Sequence, residues 1–519
     1  MKKYIYLVTL FFGLIFIGCK KDSFDINTNP NQATESSITP DLVLPLALHN
    51  SGQLVGANYA VMARWMGAWT RGGDYGPNNE EETYTLTTSF GAGQFANWYN
   101  NLFDYNVIER KGLATGQNFY VAIAKTMKTI GFMNLVDLYN NVPYSKAFDL
   151  SNNILPAYDK GPAIYADLFK QLDQALVALN TITPNSDINI AKADIMFAGN
   201  VTKWKKFINT QRLRLVLRLV NTGTTVITPA TEMAKITSEG YIGAGESAAV
   251  NPGYAKANNT ANISQQNPFW DAYKANVSGI EFDNFNRANN FVLNILKGTN
   301  DNRFQYYFDK ATTPQAGNLW AGMPYGYPSI AGLPSSLNTS GVGGPGLAKS
   351  PTQAQWIFTS VESLFLQAEA IQRGYISTGS AQTVFENGIR ESFAYLVVPN
   401  AITEANTYIA SGNMYVNYSG SANKIATIIK QKYLSMVGLN NFEAYADYRR
   451  ISGGATGGAG DDGDLYNFYL PAKSVNAGAV SKVIPKRFRY PQNEFNFNSA
   501  NVGAEGNPDP QTSKIFWAK

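Results

Sequence analysis

A single cysteine, at position 19, constrains this chain more than any other feature. It closes a leader: Lys2 and Lys3 give positive charge, Tyr4 to Ile17 is almost wholly apolar, and Gly18-Cys19 follows. That order is the signature of a secretory signal peptide. The segment is too short for an ordinary transmembrane helix, which needs about 20 apolar residues. An exported chain with one thiol can form no internal disulfide, so its fold must rest on a large buried core, and 519 residues can supply one.

Ile17-Gly18-Cys19 resembles a bacterial lipobox, with Phe16 where Leu is usual. In such a motif the cysteine is acylated and becomes the mature N-terminus. One acyl chain anchors only marginally, so several are needed for firm attachment. With Cys19 acylated, the mature body has no thiol for catalysis or metal binding. His49 is the only histidine, so no His-His metal pair exists, and any Ser-His-Asp triad would depend on that one residue. A packed or solvated helix position is the simpler reading of His49. Residues 20–40 are polar and rich in Asn, Thr and Ser, as a tether would be.

Charge is nearly balanced, 42 basic against 38 acidic residues, and no basic run of the kind that tracks phosphates occurs. Nucleic acid is therefore not an expected partner. Charged residues make up 15% of the chain and aromatics 13%, dominated by 30 Tyr and 29 Phe. A core prefers Phe and Leu where no partner awaits a hydroxyl, so many of the tyrosines must meet solvent or ligand.

Helical periodicity dominates after residue 40. Segments at 97–114, 122–139, 164–176, 213–220, 357–371 and 424–436 carry apolar residues at spacings of three and four. Consecutive helices with short turns predict a mostly α fold of tetratricopeptide-like hairpins. Between about 240 and 350, Gly, Asn, Pro and Ser rise and no long periodic segment appears. Residues 329–351 and 453–464 read as loops. The expected organisation is a leader at 1–18, an acylated N-terminus and tether at 19–40, and one domain at 41–519. Within that domain, an irregular loop-rich half would hold the ligand.

Gly458, Gly460 and Gly463 spell G-x-G-x-x-G, but Asp461, Asp462 and Asp464 in the same loop would repel a pyrophosphate. Those acids offer hard oxygens to a structural calcium ion, although EF-hand spacing is absent and a solvated turn is the simpler reading. No other cofactor is expected. Glu362 and Glu369 lie seven residues apart on one helical segment, so about 10 Å apart along its axis. Acid pairs hydrolyse glycosides, but two turns of one helix clasp a sugar poorly. Glu369 lies within the apolar stripe, which points to pairing with a buried Arg. The aromatic clusters are better ligand candidates. Trp69 and Tyr75 run into a loop with Arg71 and Asp74. Trp270 and Tyr273 lie in the irregular half, as do Trp320, Tyr325 and Tyr327. Rings stack on the apolar face of a sugar, and planar polar groups read its hydroxyls. Core packing is the competing role for each ring, for Trp320 above all.

Several strings then align with one family. Residues 137–145 (DLYNNVPYS) resemble the D-L-Y-G-D-V-P-Y-S signature of the SusD/RagB nutrient-binding outer-membrane lipoproteins, with Asn140-Asn141 for Gly-Asp. Pro156 to Asp159 matches that family's P-x-Y-D helix opening. Gly199-Asn200 with Lys203 to Phe207 matches its entry to an Arg-Leu-rich helix. Asp301-Asn302-Arg303 is similar to its D-P-R, and Gln367 to Ala370 with Arg373-Gly374 to its A-E-A…R-G. Gln431 to Tyr433, Glu443 to Tyr445, Tyr448 to Arg450, Ile484 to Arg487 and Tyr490 to Glu494 match its C-terminal segments. The ordered set spans nearly all of the mature chain. It implies a helical, tetratricopeptide-like fold and a surface-exposed lipoprotein of the outer membrane, held there by its lipid alone. It also implies a partner, a SusC-like TonB-dependent transporter that the protein lids.

Together these readings predict a non-enzymatic protein that captures an oligosaccharide for a transporter. A peptide ligand clamped by Arg71 and Asp74 is the alternative. A surface glycoside hydrolase and a purely structural lid are the remaining readings.

Overall fold

Asn200 shows how this sequence starts its helices. Its side chain accepts the amide of Lys203 at 3.0 Å and satisfies one of the free N–H groups at a helix start. The same cap recurs at Thr359, Ser380 and Asn423. The computed structural model describes residues 37–57, 59–281, 283–327, 332–452, 474–479 and 482–519. Among them run ten helices of ten residues or more. They are α1 (Pro40–Ala57), α2 (Ala92–Thr115), α3 (Asn118–Tyr139), α4 (Gly161–Leu179), α5 (Val201–Arg218), α6 (Ser360–Gln372), α7 (Ala381–Tyr395), α8 (Ala401–Ala410), α9 (Lys424–Ser435) and α10 (Asn441–Ser452). No helix of the described residues is long and apolar enough to cross a membrane.

Successive helices pack as hairpins: α2 on α3, α3 on α4, α6 on α7 and α7 on α8. The mostly helical, hairpin-built fold is therefore as the periodicity predicts. α3 is buried along nearly its whole length, so it reads as continuously apolar rather than as a stripe. Short antiparallel ladders tie the rest together. β1 (Trp69–Arg71) pairs with β5 (Asn286–Ala288), β2 (Val142–Pro143) with β3 (Tyr158–Asp159), and β4 (Ala248–Val250) with β6 (Gln355–Phe358).

One boundary differs from the periodicity. Ile357 belongs to β6, whose four residues are all buried, and the helix starts only after the Thr359 cap. A short, fully buried apolar run has no period that separates strand from helix. Among the described residues, the interval 240–350 contains only short elements, the longest a nine-residue helix at Asn290–Gly298.

The core also holds charge. Arg214, Arg218, Lys432, Arg449 and Arg450 are buried with Asp137, Glu362, Glu369, Glu443 and Asp447. Glu443 accepts from Arg214 at 2.8 Å and from Arg218 at 2.7 Å. Asp137 pairs with Arg218 at 3.0 Å and accepts the Trp517 indole N–H at 2.7 Å. This network joins α3, α5, α6, α9 and α10.

Candidate functional site

The site-bearing half is built on the β1–β5 ladder, where Thr70 stands opposite Arg287. Behind it, Arg64 grips Glu81 through two bonds of 2.6 and 2.7 Å and reaches Asn286 at 2.6 Å. Tyr325 donates its hydroxyl to the same Glu81 at 2.9 Å. In front, the Gly72 amide binds the Phe285 carbonyl, and the exposed Tyr75 meets the Phe285 ring edge-on at 5.3 Å.

Between these loops lies a charged crevice of about 20 Å³, close to the room one water needs. Lys274, Arg287 and Lys310 line it together with Glu281, Asp283 and Asp309. Lys274 pairs with Asp309 at 2.6 Å. Asp283 accepts the amides of Phe285 and Asn286. Burial raises the carboxyl pKa of Asp283 and of Asp309, and burial lowers that of the Arg287 guanidinium. Arg287 is 5% exposed, makes no ion pair among the described residues, and has an Nε with no hydrogen-bond partner. Its Nη2 donates to Asn284 at 2.8 Å. Gly341 fits closely above it, since a Cβ there would stand 3.0 Å from Arg287 Nη1.

The nine ligand candidates divide. Asp74 is exposed and holds Ser336, a crevice residue, at 2.9 and 2.7 Å. Tyr75 is exposed beside it. Trp320 is half-buried, edge-on to Phe304 at 5.3 Å, with Lys310 Nζ 5.4 Å over its ring. Tyr273 lines the crevice, but its ring is 8% exposed and its hydroxyl is bound to the Ala57 carbonyl at 2.6 Å. Trp270 sits one turn earlier on the same short helix, half-buried, its indole N–H without a partner.

Three candidates need correction. Trp69 is enclosed against Tyr273, and Tyr325 is enclosed behind the ladder. Arg71 is buried and spent on Glu82 at 2.6 Å, on the Tyr75 carbonyl at 2.6 Å and on the Tyr327 carbonyl. All three brace the loops and present no face to a ligand, because the strand they flank runs through the core. Tyr327 is half-buried, its carbonyl held by Arg71. Arg287, Asp283, Asp309 and Lys274 were missed. The string at 283–287, one Asp and two Asn around a Phe before an Arg, was the available signal.

Glu362 and Glu369 are fully buried. Glu369 is held by Arg450 at 2.6 and 2.8 Å and by Arg373 at 2.8 Å, the pairing its place in the stripe predicts. Glu362 is held by Arg214 at 3.1 Å and Asn440 at 2.9 Å. Neither carboxylate can reach a glycosidic bond. His49 is half-buried on α1 with Nδ1 3.0 Å from the Tyr254 hydroxyl. Asp461, Asp462 and Asp464 lie outside the described residues, as do Cys19 and the 20–36 part of the tether.

A larger cleft, about 440 Å³, lies elsewhere, among α2, α3 and α4, lined by Phe132, Tyr144, Phe148, Lys128 and Asp167. Its polar groups are paired with one another: Tyr144 donates to Asp167 at 2.6 Å, and Lys128 to Glu109 at 2.9 Å. The crevice is set apart by Arg287, whose buried Nε has no hydrogen-bond partner among the described residues, and we take it with its rim as the candidate site.

A family model described as starch-binding, associating with the outer membrane (SusD-like), matches residues 28–491. No curated protein matches the chain. Solved structures do. A chitin-binding SusD homolog from Flavobacterium johnsoniae has a TM-score of 0.70 at 21% identity, covering 92% of this chain and 98% of that one. A putative outer-membrane protein of Bacteroides vulgatus, described as probably involved in nutrient binding, gives 0.70 at 22%, covering 93% and 100%. A SusD homolog from Bacteroides fragilis gives 0.69 at 20%, covering 92% and 99%. At these identities the likeness shows the fold.

Proposed function

The chain belongs to the SusD/RagB family of outer-membrane-associated binding proteins, and from that premise we propose that it is a surface lipoprotein that captures an oligosaccharide. It hands that ligand to a TonB-dependent transporter and leaves it chemically unchanged. One observation carries the reading: the family model, described as starch-binding and associating with the outer membrane, matches residues 28–491. At the crevice, Arg287 donates through Nη1 to the Asn286 carbonyl at 3.3 Å and through Nη2 to Asn284 at 2.8 Å, and its buried Nε has no acceptor among the described residues, a cost of about 1–3 kcal/mol. Asp283 and Asp309 stand ready to accept from neighbouring hydroxyls, and Tyr75 and Trp320 offer apolar ring surface at the rim. Starch and chitin, named for the family and for one relative, set the first glycans to try.

Titration calorimetry with malto- and chito-oligosaccharides tests this. Tyr75→Ala should weaken binding by about tenfold, roughly 1.4 kcal/mol, without moving thermal unfolding. Trp69→Ala should instead cost about 3–5 kcal/mol of stability, as core aromatic truncations do. Silence across the glycans would sink the sugar reading. Heat with peptides would then support the alternative, which the mixed charge of Lys274, Lys310 and Glu281 at the crevice favours.

A further inference from the structure

Five large aliphatic side chains are exposed at one end of the helical half. Leu42 is 67% exposed, Leu46 57%, Leu113 62%, Val177 63% and Ile188 47%. Hydrogen bonds bring their segments together. Asn189 donates to Asp41 at 2.7 Å, the Phe119 amide to Asp187 at 2.7 Å, and Asn118 to the Thr181 carbonyl at 2.9 Å. The start of α1, the α2–α3 turn and the segment after α4 therefore share one end of the molecule.

That end is also poor in charge. Residues 37–50, 112–121 and 177–191 contain two acids, Asp41 and Asp187, one histidine, His49, and no Lys or Arg. Asp187 is buried on the amides of Phe119 and Thr183, and Asp41 is bonded to Thr39 and Asn189. Lys111 and Lys192 stand at the margins. The chain enters at this same end, at Ser37, 18 residues after Cys19. Eighteen residues reach at most about 60 Å.

We propose that this end rests on the lipid leaflet, with Leu42, Leu46, Leu113, Val177 and Ile188 entering its interfacial layer. The proposal rests on the acylation of Cys19. A tether converts a weak surface contact into an intramolecular one, so a few aliphatic side chains suffice. Lipid fits better than a protein partner, because protein hot spots favour Trp, Tyr and Arg and the five side chains here are all aliphatic. The consequence is orientation: the lipid fixes distance, and the apolar end fixes which side faces the membrane.

Hydrogen exchange on the acylated full-length protein bound to phosphatidylethanolamine–phosphatidylglycerol vesicles tests the contact. A triple variant, Leu42→Ser with Leu113→Ser and Ile188→Ser, serves as the comparison. These positions are exposed, so unfolding should not shift. Amides at 113–117 and 185–189 should exchange severalfold more slowly in the parent than in the variant, while both float with the vesicles. Flotation with equal exchange overturns the contact and leaves the anchor standing. Failure to float removes the anchor and the contact with it. Protection that appears only on membranes containing outer-membrane proteins overturns the lipid assignment in favour of a protein partner.

Discussion

At position 140 the backbone turns through φ +69°, ψ −67° to leave α3, and the amide of Asn141 returns to the Tyr139 carbonyl at 3.0 Å. Such a tight three-residue turn is strained for any residue with a Cβ, by about 1–3 kcal/mol. The family pattern places Gly there. This chain uses Asn, and the structure shows what is gained: Asn140 Oδ1 accepts the Phe516 amide at 2.7 Å. Asn141 Oδ1 likewise accepts the Gly161 amide at 3.0 Å. Asn140→Ala, which keeps the strain and loses the bond, should destabilise by about 1–2 kcal/mol in urea unfolding. Asn140→Gly should be near neutral, because relief of strain offsets the lost bond. Equal losses for both variants would show that the turn is unstrained. At this scale the sequence was a poor guide to which rings are buried. Trp69 and Tyr75 are six residues apart in one aromatic string, yet one is core and the other rim. Only the path of β1 through the core separates them.

Helix to helix, the ionic network joins α3, α5, α6, α9 and α10 through the apolar core. Burial alone would raise the Glu369 pKa, but Arg450 and Arg373 outweigh it and hold the carboxyl at about 2. A folded-state value below the unfolded one adds stability that is complete above the unfolded pKa and lost as pH falls through the folded one. For Glu369 the window runs from 4.5 down to about 2, worth about 3 kcal/mol. Asp137 and Glu362, which burial pushes up, work in the opposite sense. The clean measurement is therefore a difference. Glu369→Gln should cost about 3–5 kcal/mol at neutral pH, because Arg450 then keeps a buried charge that Asp447 only partly answers. That penalty should shrink as pH falls from 4.5 toward 2. A penalty constant with pH would mean that Glu369 is not the group titrating. The sequence hinted at this network through Arg449-Arg450 and the position of Glu369 in an apolar stripe. It could not name the partners, because Arg450 and Glu369 are 81 residues apart.

For the whole molecule, localisation should follow from one residue. Cys19→Ser should leave the protein uncleaved by lipoprotein processing and absent from the surface fraction, and mass spectrometry of the parent should find an acylated N-terminal Cys19. A parent without acyl groups would remove the anchoring proposal. The sequence by itself determined the helical class, because burial period is written locally. It also determined the family, because its motifs are the pieces that must meet. DLYNNVPYS and PAYD are the two sides of one ladder, Val142 opposite Asp159 and Pro143 opposite Tyr158, and Asp301 pairs with Arg303 at 2.5 Å. Such residues are held to type by mutual contact, so they stay legible in a single chain. The tertiary structure alone decided where the charges go. It gathered Lys274, Arg287 and Asp309 into one crevice and left the Arg287 Nε without an acceptor among the described residues. It enclosed Trp69, Arg71 and Tyr325, and it brought five aliphatic side chains to the end at which the chain enters. Each of these depends on residues distant in sequence, and burial and pairing at that range are properties of the packed chain, with no local pattern to announce them.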